Sequence, residues 1–263
     1  MCGSRRGADA TSWVQQSTGK RYNQLGKILA FVSDQSSELV DPAAFAQRGV
    51  DRGQTLLLLR VQGNRVDDPA AWLQLWQARP LTCCTADDPL TCRAQAEANC
   101  FTGSRAFAID PGSPGDAVAP GAISGGDGRF ASVSLPLRFG VGSTVEMTLP
   151  LQQVQVRGTF LGSGIEAGAI AGLVADSQLD ASVIVPLAQL LTGLLAENPG
   201  SEEAQLIATL FDADSDGTIT AVEIKNSLIG ALLAPDVDLD GDGRKDHLSF
   251  GCGFTAVGAT ILP

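Results

Sequence analysis

The sequence predicts an α+β fold: an antiparallel, β-rich domain, built as a sandwich or barrel, followed by a C-terminal helix-loop-helix module. Three observations lead to this prediction. Apolar and polar residues alternate over much of 132–160, which is typical of antiparallel strands with one buried face. Thirty glycines and only 5% aromatic residues favour a β-rich chain, and an acidic loop at 212–223 lies between two amphipathic segments. With 44% apolar residues, the chain can bury a substantial core.

Composition divides the chain into three parts. Residues 1–20 are polar or small and predict a flexible N-terminal tether. Residues 21–197 form the predicted β-rich domain, which contains a cluster of cysteines. Residues 198–263 form the predicted helix-loop-helix module, entered through a linker of asparagine, proline and glycine.

The clearest strand signals lie in the second half of the β-rich domain. Alternation over 132–139 and again over 144–152 predicts two strands, and 154–160 continues the pattern. Proline has no backbone N–H to donate within a sheet. Pro136 and Pro150 are therefore expected at sheet edges or bulges.

Signals in the first half of this domain are shorter. The apolar run 54–62 suits a strand buried on both faces. Residues 70–78 suit either a short helix or a strand with both tryptophans on one side, and the strand is preferred. Core packing of the two tryptophans is preferred over a ligand-facing role. Short helices are predicted at 42–48 and 186–196. The glycine-rich segment 110–128 predicts a loop.

Four of the six cysteines cluster in one segment, at positions 83, 84, 92 and 100. The paired spacing of a structural zinc site is missing, so two disulfides in a loop or hairpin edge are the simpler interpretation. Adjacent cysteines seldom bond each other, which leaves two pairings open: Cys83–Cys100 with Cys84–Cys92, or Cys83–Cys92 with Cys84–Cys100. Disulfides indicate an oxidising, extracytoplasmic compartment.

Residues 212–223 have the spacing of oxygen ligands that a hard divalent cation requires. A twelve-residue calcium loop supplies oxygens at about 2.3–2.6 Å from positions 1, 3, 5, 7, 9 and 12, and needs glycine at position 6 for a sharp turn. Gly217 stands at position 6. The ligand positions hold Asp212, Asp214, Asp216, Thr218 through its carbonyl, Thr220 through a water, and Glu223.

The flanks of this loop agree with a helix-loop-helix unit. A helix capped by Ser201 precedes the loop, and a second helix is expected to run to Pro235. Ile219 at position 8 is expected to pair with a partner loop. Residues 210–223 resemble the EF-hand loops of calmodulin-like proteins at every ligand position, and the resemblance implies one bound Ca²⁺.

A second acidic loop follows, and its best frame starts at Asp238. Position 12 of that frame is Ser249 in place of a bidentate glutamate, which predicts a weaker or differently completed site. The loop resembles the shorter Asp-rich calcium repeats of dockerins and thrombospondin-type modules, and this implies a second Ca²⁺. The candidate ligands are Asp236, Asp238, Asp240, Asp242, the Arg244 carbonyl and Asp246.

Charge and hydropathy restrict the partners. A net charge of −11 without clustered cations argues against nucleic acid. No window approaches 18 continuous apolar residues, so no transmembrane helix is predicted. The start Cys2-Gly3-Ser4 resembles the start of a mature bacterial lipoprotein, which implies a lipid anchor at Cys2; an ordinary N-terminus is the alternative.

These observations predict a non-enzymatic, extracytoplasmic calcium-binding protein in which the metal is mainly structural. His247, the one histidine, lies in the second acidic loop, and no motif for nucleophilic or zinc catalysis accompanies it. Two alternatives stay open. One is a carrier that holds an apolar or lipid ligand in the β-rich domain, and the other is a carboxylate-based hydrolase.

Overall fold

The alternating segments form the centre of one antiparallel sheet. In the computed structural model of the chain, seven of the described strands pair in this sheet, which curls into a half-barrel, and the fold is mixed α+β as the sequence predicts. The structure describes residues 12–27, 42–63, 66–113, 118–141, 145–197 and 199–262.

The strands are numbered in chain order. The sheet order is β10-β9-β8-β7-β6-β4-β3, and β1 with β2 and β5 with β11 form two small pairs. The strands are β1 (Trp13–Val14), β2 (Arg21–Tyr22), β3 (Leu57–Gln62), β4 (Trp72–Gln77), β5 (Ala106–Ala108), β6 (Val118–Ser124), β7 (Asp127–Val141), β8 (Val145–Leu161), β9 (Gly164–Ala175), β10 (His247–Val257) and β11 (Thr260–Leu262).

Helices between residues 176 and 232 cover one face of this sheet. The helices are α1 (Pro42–Asp51), α2 (Pro89–Asn99), α3 (Asp176–Glu197), α4 (Glu202–Phe211), α5 (Ala221–Asn226) and α6 (Leu228–Leu232). One hydrophobic cluster joins the buried side chains of β7–β10 to those of α3–α5, for example Leu151 and Val174 to Leu191 and Ile224. Because β10 pairs with β9, the C-terminal segment 199–262 shares both sheet and core with the residues before it.

The two strand prolines lie where the sequence places them. Pro136 and Pro150 face each other across β7 and β8. At this point the described register pairs of β7 with β6 and of β8 with β9 have already ended, at Phe130 and Gln152. Among the described residues, the two prolines therefore lie at sheet edges, as predicted, where their missing N–H groups break no strand pairing.

The strands of the first half differ in detail from the predictions. β3 lies at one edge of the sheet and its Arg60 and Gln62 are exposed, so 54–62 is not buried on both faces. β4 confirms the predicted strand over 70–78, and Trp76 packs in a second hydrophobic cluster. Trp72 is half-buried with the Arg60 guanidinium 5.9 Å from its ring centre.

The prediction of a loop at 110–128 is wrong over the second half of that segment. β6 (Val118–Ser124) lies there and pairs with both β4 and β7. Gly125 and Gly126, with φ of 59° and 87°, form the tight hairpin turn into β7. The glycines therefore mark a turn between strands and not a continuous loop.

The cysteine cluster contains a helix in place of the predicted loop or hairpin edge. Asp88 caps α2 by accepting a hydrogen bond from the Thr91 N–H at 2.8 Å, and Pro89 occupies its first turn. The disulfides are Cys83–Cys100 and Cys84–Cys92, one of the two pairings left open by the sequence. Cys2, the predicted lipid attachment site, lies outside the described residues.

Residues 12–22 form a β-ribbon and not part of the tether expected over 1–20. Trp13 is buried and its indole N–H donates to the Gln153 carbonyl at 3.0 Å. The Gln155 side chain bonds both the N–H and the carbonyl of Val14, at 3.0 and 2.7 Å. The ribbon therefore covers the face of β8 and β9 opposite the helices, with Trp13 in a small cluster with Leu173 and Val237.

Helix α3 is longer than predicted, since it begins at Asp176 and not at 186. It contains one π-helical turn, Asp180–Ile184. Among the described residues it is the one helix long and apolar enough to cross a membrane by length and composition. Its buried side chains, such as Leu179 and Leu191, pack in the main core, so it provides no clear transmembrane span.

We expect truncation of Leu151 to test the position of this core. Leu151 is fully buried in the core that β8 shares with α3, so Leu151→Ala should lower the free energy of unfolding by about 2–5 kcal/mol. Leu161→Ala is the matched control, because Leu161 lies exposed at the end of the same strand and should change stability by less than about 0.5 kcal/mol. Chemical denaturation of both variants is the measurement, and equal losses would contradict the assigned core.

Candidate metal centre

The first acidic loop, residues 212–223 (loop 1), connects α4 to α5. The Ser201 hydroxyl accepts from the Ala204 N–H and begins α4, as predicted. Ile207 and Phe211 on α4 are buried in the main core. The loop therefore starts from a helix that is fixed against the sheet.

Three carboxylates of loop 1 converge. One oxygen from each of Asp212, Asp214 and Asp216 lies within 4.8 Å of the others. Backbone N–H groups hold this arrangement: those of Asp216 and Gly217 donate to the two Asp212 oxygens at 3.1 and 3.0 Å. Gly217 has φ of 81°, a conformation that favours glycine, so the predicted turn residue fulfils its role.

Glu223, the predicted ligand at position 12, bonds to both ends of the loop. One carboxylate oxygen accepts from the Ala213 N–H at 2.8 Å, and the other accepts from the Thr220 N–H and hydroxyl at 2.8 and 2.9 Å. The Thr220 hydroxyl in turn accepts from the Glu223 N–H, which completes a capping box at the start of α5. Thr218 donates its N–H to Asp216 at 2.7 Å. The structure thus closes the loop through Glu223 but leaves that carboxylate outside the converging trio.

Ile219 does not pair with a partner loop, in contrast to the prediction. Its side chain is buried in the main core. Its N–H donates to the Thr192 hydroxyl of α3 at 2.9 Å, and the same hydroxyl donates to the Ile219 carbonyl at 3.3 Å. A side chain of α3 therefore fills the hydrogen-bonding role expected of a second loop.

The second acidic loop, residues 238–249 (loop 2), repeats the geometry of loop 1. Oxygens of Asp238, Asp240 and Asp242 lie within 4.8 Å of one another. The N–H at position 6, Gly243, again donates to the first aspartate, at 2.9 Å, and the N–H at position 7, Arg244, again donates to the third, at 2.7 Å. Positions 4 and 6 have positive φ in both loops. Each loop therefore brings three aspartate carboxylates together around the same kind of turn, although the two loop sequences differ.

The two other carboxylates predicted as ligands of the second site, those of Asp236 and Asp246, bond to other partners. Asp236 accepts the Ser249 N–H and hydroxyl at 2.8 and 2.7 Å, so both of its oxygens face β10. Asp246 bonds the His247 ring nitrogen Nδ1 at 2.6 Å. This hydrogen bond lowers the pKa of Asp246 below its usual value. Neither side chain joins the converging trio, and Ser249 at position 12 is fully buried.

The segment after loop 1 is not the single helix expected to run to Pro235. Ser227 is extended, with φ of −79° and ψ of 170°, and separates α5 from α6. The Ser227 hydroxyl donates to the Ile224 carbonyl and accepts from the Gly230 N–H. A Cβ at Gly230 would lie 2.3 Å from the Lys225 carbonyl oxygen, so only glycine allows this close turn.

Comparison of the chain with protein-family models, curated proteins and solved structures finds no match in any of the three. The case for a metal site therefore depends on the geometry of the two loops.

The donor set suits a hard cation. Every converging atom is a carboxylate oxygen, the ligand that Ca²⁺ and Mg²⁺ prefer over nitrogen or sulfur. Asp212 is mostly buried while its two partners are exposed, so an ion would reach the site from solvent. Within the described residues, loops 1 and 2 contain the two groups of three or more metal-ligating side chains.

The alternatives of a carrier and a hydrolase gain no specific support. One described cleft lies beside the disulfides and is open to solvent, and polar side chains such as Arg52, Gln54 and Asp87 line much of it. Apolar side chains such as Leu81 also line it, but a cleft this open to solvent does not enclose an apolar ligand. His247 is buried and held by Asp246, so its ring contributes to the fold of loop 2.

The hydrogen bonds to Glu223 predict a pH dependence of stability. The Thr220 N–H and hydroxyl lower the pKa of Glu223 from its ordinary value of 4.5. A lowered folded-state pKa contributes stability above the unfolded pKa, and this stability is lost as pH falls through the folded-state pKa. In calcium-free buffer, the wild-type Tm should therefore fall below about pH 4.5 more steeply than that of Glu223→Gln.

The matched control is Glu166→Gln, which changes an exposed glutamate of β9 outside both loops. It should keep the wild-type slope of Tm against pH. Identical slopes for Glu223→Gln and wild type would contradict the assigned hydrogen bonds.

Proposed function

We propose that this chain is an extracytoplasmic calcium-binding protein in which Ca²⁺ stabilises the fold and takes part in no reaction. The observation that carries the proposal is the convergence of Asp212, Asp214 and Asp216, repeated with the same backbone pattern in loop 2. In each loop the three carboxylates repel one another, and a bound divalent cation would offset that repulsion.

Residues of loop 1 fit a complete calcium site better than those of loop 2. Asp212, Asp214 and Asp216 would hold the ion, with the Thr218 carbonyl and Glu223 as further ligands and Thr220 acting through a water. In loop 2, Asp238, Asp240 and Asp242 would hold the ion, and the Arg244 carbonyl is the next candidate. Loop 2 has no carboxylate at position 12, so we expect its affinity to be lower.

The expected free energy of calcium binding supports a structural role. A site with a Kd of about 10⁻⁵ M in about 1 mM calcium adds about 2.7 kcal/mol to the folded state. That is a large share of a typical domain stability of about 5–15 kcal/mol. Such a site is filled continuously outside a cell, so it stabilises the protein and does not signal.

The compartment proposed here is supported by two kinds of chemistry. Disulfides such as Cys83–Cys100 persist in oxidising compartments. Weak calcium sites are filled only where the calcium concentration is millimolar, as it is outside the cytosol. The two features agree on an extracytoplasmic location.

The first test is a count of bound calcium by native mass spectrometry and titration calorimetry. Wild type should bind two ions, Asp216→Asn should lose the tighter one, and Asp240→Asn the weaker one. Asp87→Asn is the control, because Asp87 is a fully exposed aspartate outside the loops, and it should keep both ions. Wild type that binds no calcium at millimolar concentration would refute the proposal.

The second test is thermal stability with calcium and with chelator. About 2.7 kcal/mol of binding energy should raise the Tm of a chain of this size by about 5–10 °C. Asp216→Asn should lose most of this increase while its Tm in chelator stays near that of wild type. A Tm indifferent to calcium would contradict a structural role.

A further inference from the structure

Helix α3 contacts both acidic loops through hydrogen bonds. Near its C-terminal end, the Thr192 hydroxyl bonds both the N–H and the carbonyl of Ile219 in loop 1. At its N-terminal end, the Asp176 N–H donates to the carbonyl of Asp246 in loop 2 at 2.8 Å. One helix, packed on the sheet, thus connects the two candidate cation sites.

Ile219 lies between two predicted ligands of loop 1. The Thr218 carbonyl belongs to the peptide unit that carries the Ile219 N–H, and Thr220 follows the peptide unit that carries the Ile219 carbonyl. The Ile219 side chain is 3% exposed and fixed in the core. When Thr192 holds the N–H and carbonyl as well, the two neighbouring peptide planes have little freedom to rotate.

The Thr192 hydroxyl suits this role because it both donates and accepts. Its oxygen lies 2.9 Å from the Ile219 nitrogen and 3.3 Å from the Ile219 oxygen. Among side chains of similar size, serine preserves both functions and valine preserves neither.

The geometry points to Thr192 as a positioning residue for the cation site of loop 1: it takes the place of a partner loop and orients the Thr218 carbonyl for the ion. This inference rests on the proposed calcium function. Its consequence is reciprocal: calcium in loop 1 and the docking of α3 stabilise each other by the same free energy.

The test measures calcium affinity in a background in which loop 2 is silenced by Asp240→Asn and Asp242→Asn. Thr192→Val should weaken calcium binding by about tenfold, which is the size expected for one or two lost hydrogen bonds. Thr192→Ser should stay within about twofold of the parent, because serine keeps the hydroxyl. Thr209→Val is the matched control, since the exposed Thr209 hydroxyl bonds only Gln205 of its own helix among the described contacts.

The outcomes separate this inference from the proposed function. If the parent binds calcium and Thr192→Val binds it with the same affinity, the role of Thr192 is overturned and the calcium site of loop 1 remains supported. A wild-type chain that binds no calcium overturns both.

Hydrogen exchange on the unsubstituted chain gives a second readout that does not depend on the folding of any variant. The Ile219 amide should exchange slowly in calcium-free buffer and more slowly still with calcium, because Thr192 holds it in both states. An Ile219 amide that exchanges at the rate of an unstructured peptide in the presence of calcium overturns the inference.

Discussion

Mutual repulsion among carboxylates is the constraint on which the C-terminal part of this structure depends. At an effective dielectric constant of about 20, two unit charges 4 Å apart repel by about 4 kcal/mol. Each acidic loop brings three aspartates to within 4.8 Å, in a chain that already has a net charge of −11. Backbone N–H groups, such as those of Gly217 and Gly243, offset part of this repulsion. A divalent cation held by the same oxygens would offset the rest, which is the physical basis of the proposed function.

The loops matter to the whole fold because each is attached to the core at a buried position. Ile219 of loop 1 is buried in the main cluster, beside helix α3. Val237, immediately before loop 2, is fully buried with Trp13 of the N-terminal ribbon. Loop 2 also leads directly into β10, the strand that completes the sheet beside β9. Loosening of either loop would therefore expose apolar surface that the sheet and helices otherwise cover.

Local patterns in the sequence predicted the features that depend on neighbours along the chain. Alternation predicted the long central strands, and ligand spacing predicted both convergences of aspartates. Asp88 before Pro89 was a capping signal that could have revealed α2. Features that depend on distant residues were not predictable in this way. The burial of Trp13 requires Gln153 across the sheet, and the bond from Ile219 to Thr192 requires a helix 27 residues away.

The most direct test of the central claim is a crystal structure of the chain grown in millimolar calcium. We expect a strong peak in loop 1 about 2.3–2.6 Å from oxygens of Asp212, Asp214 and Asp216, and a second peak among Asp238, Asp240 and Asp242. Carboxylates in loop 1 that point apart into solvent around no shared ion would contradict a calcium site there.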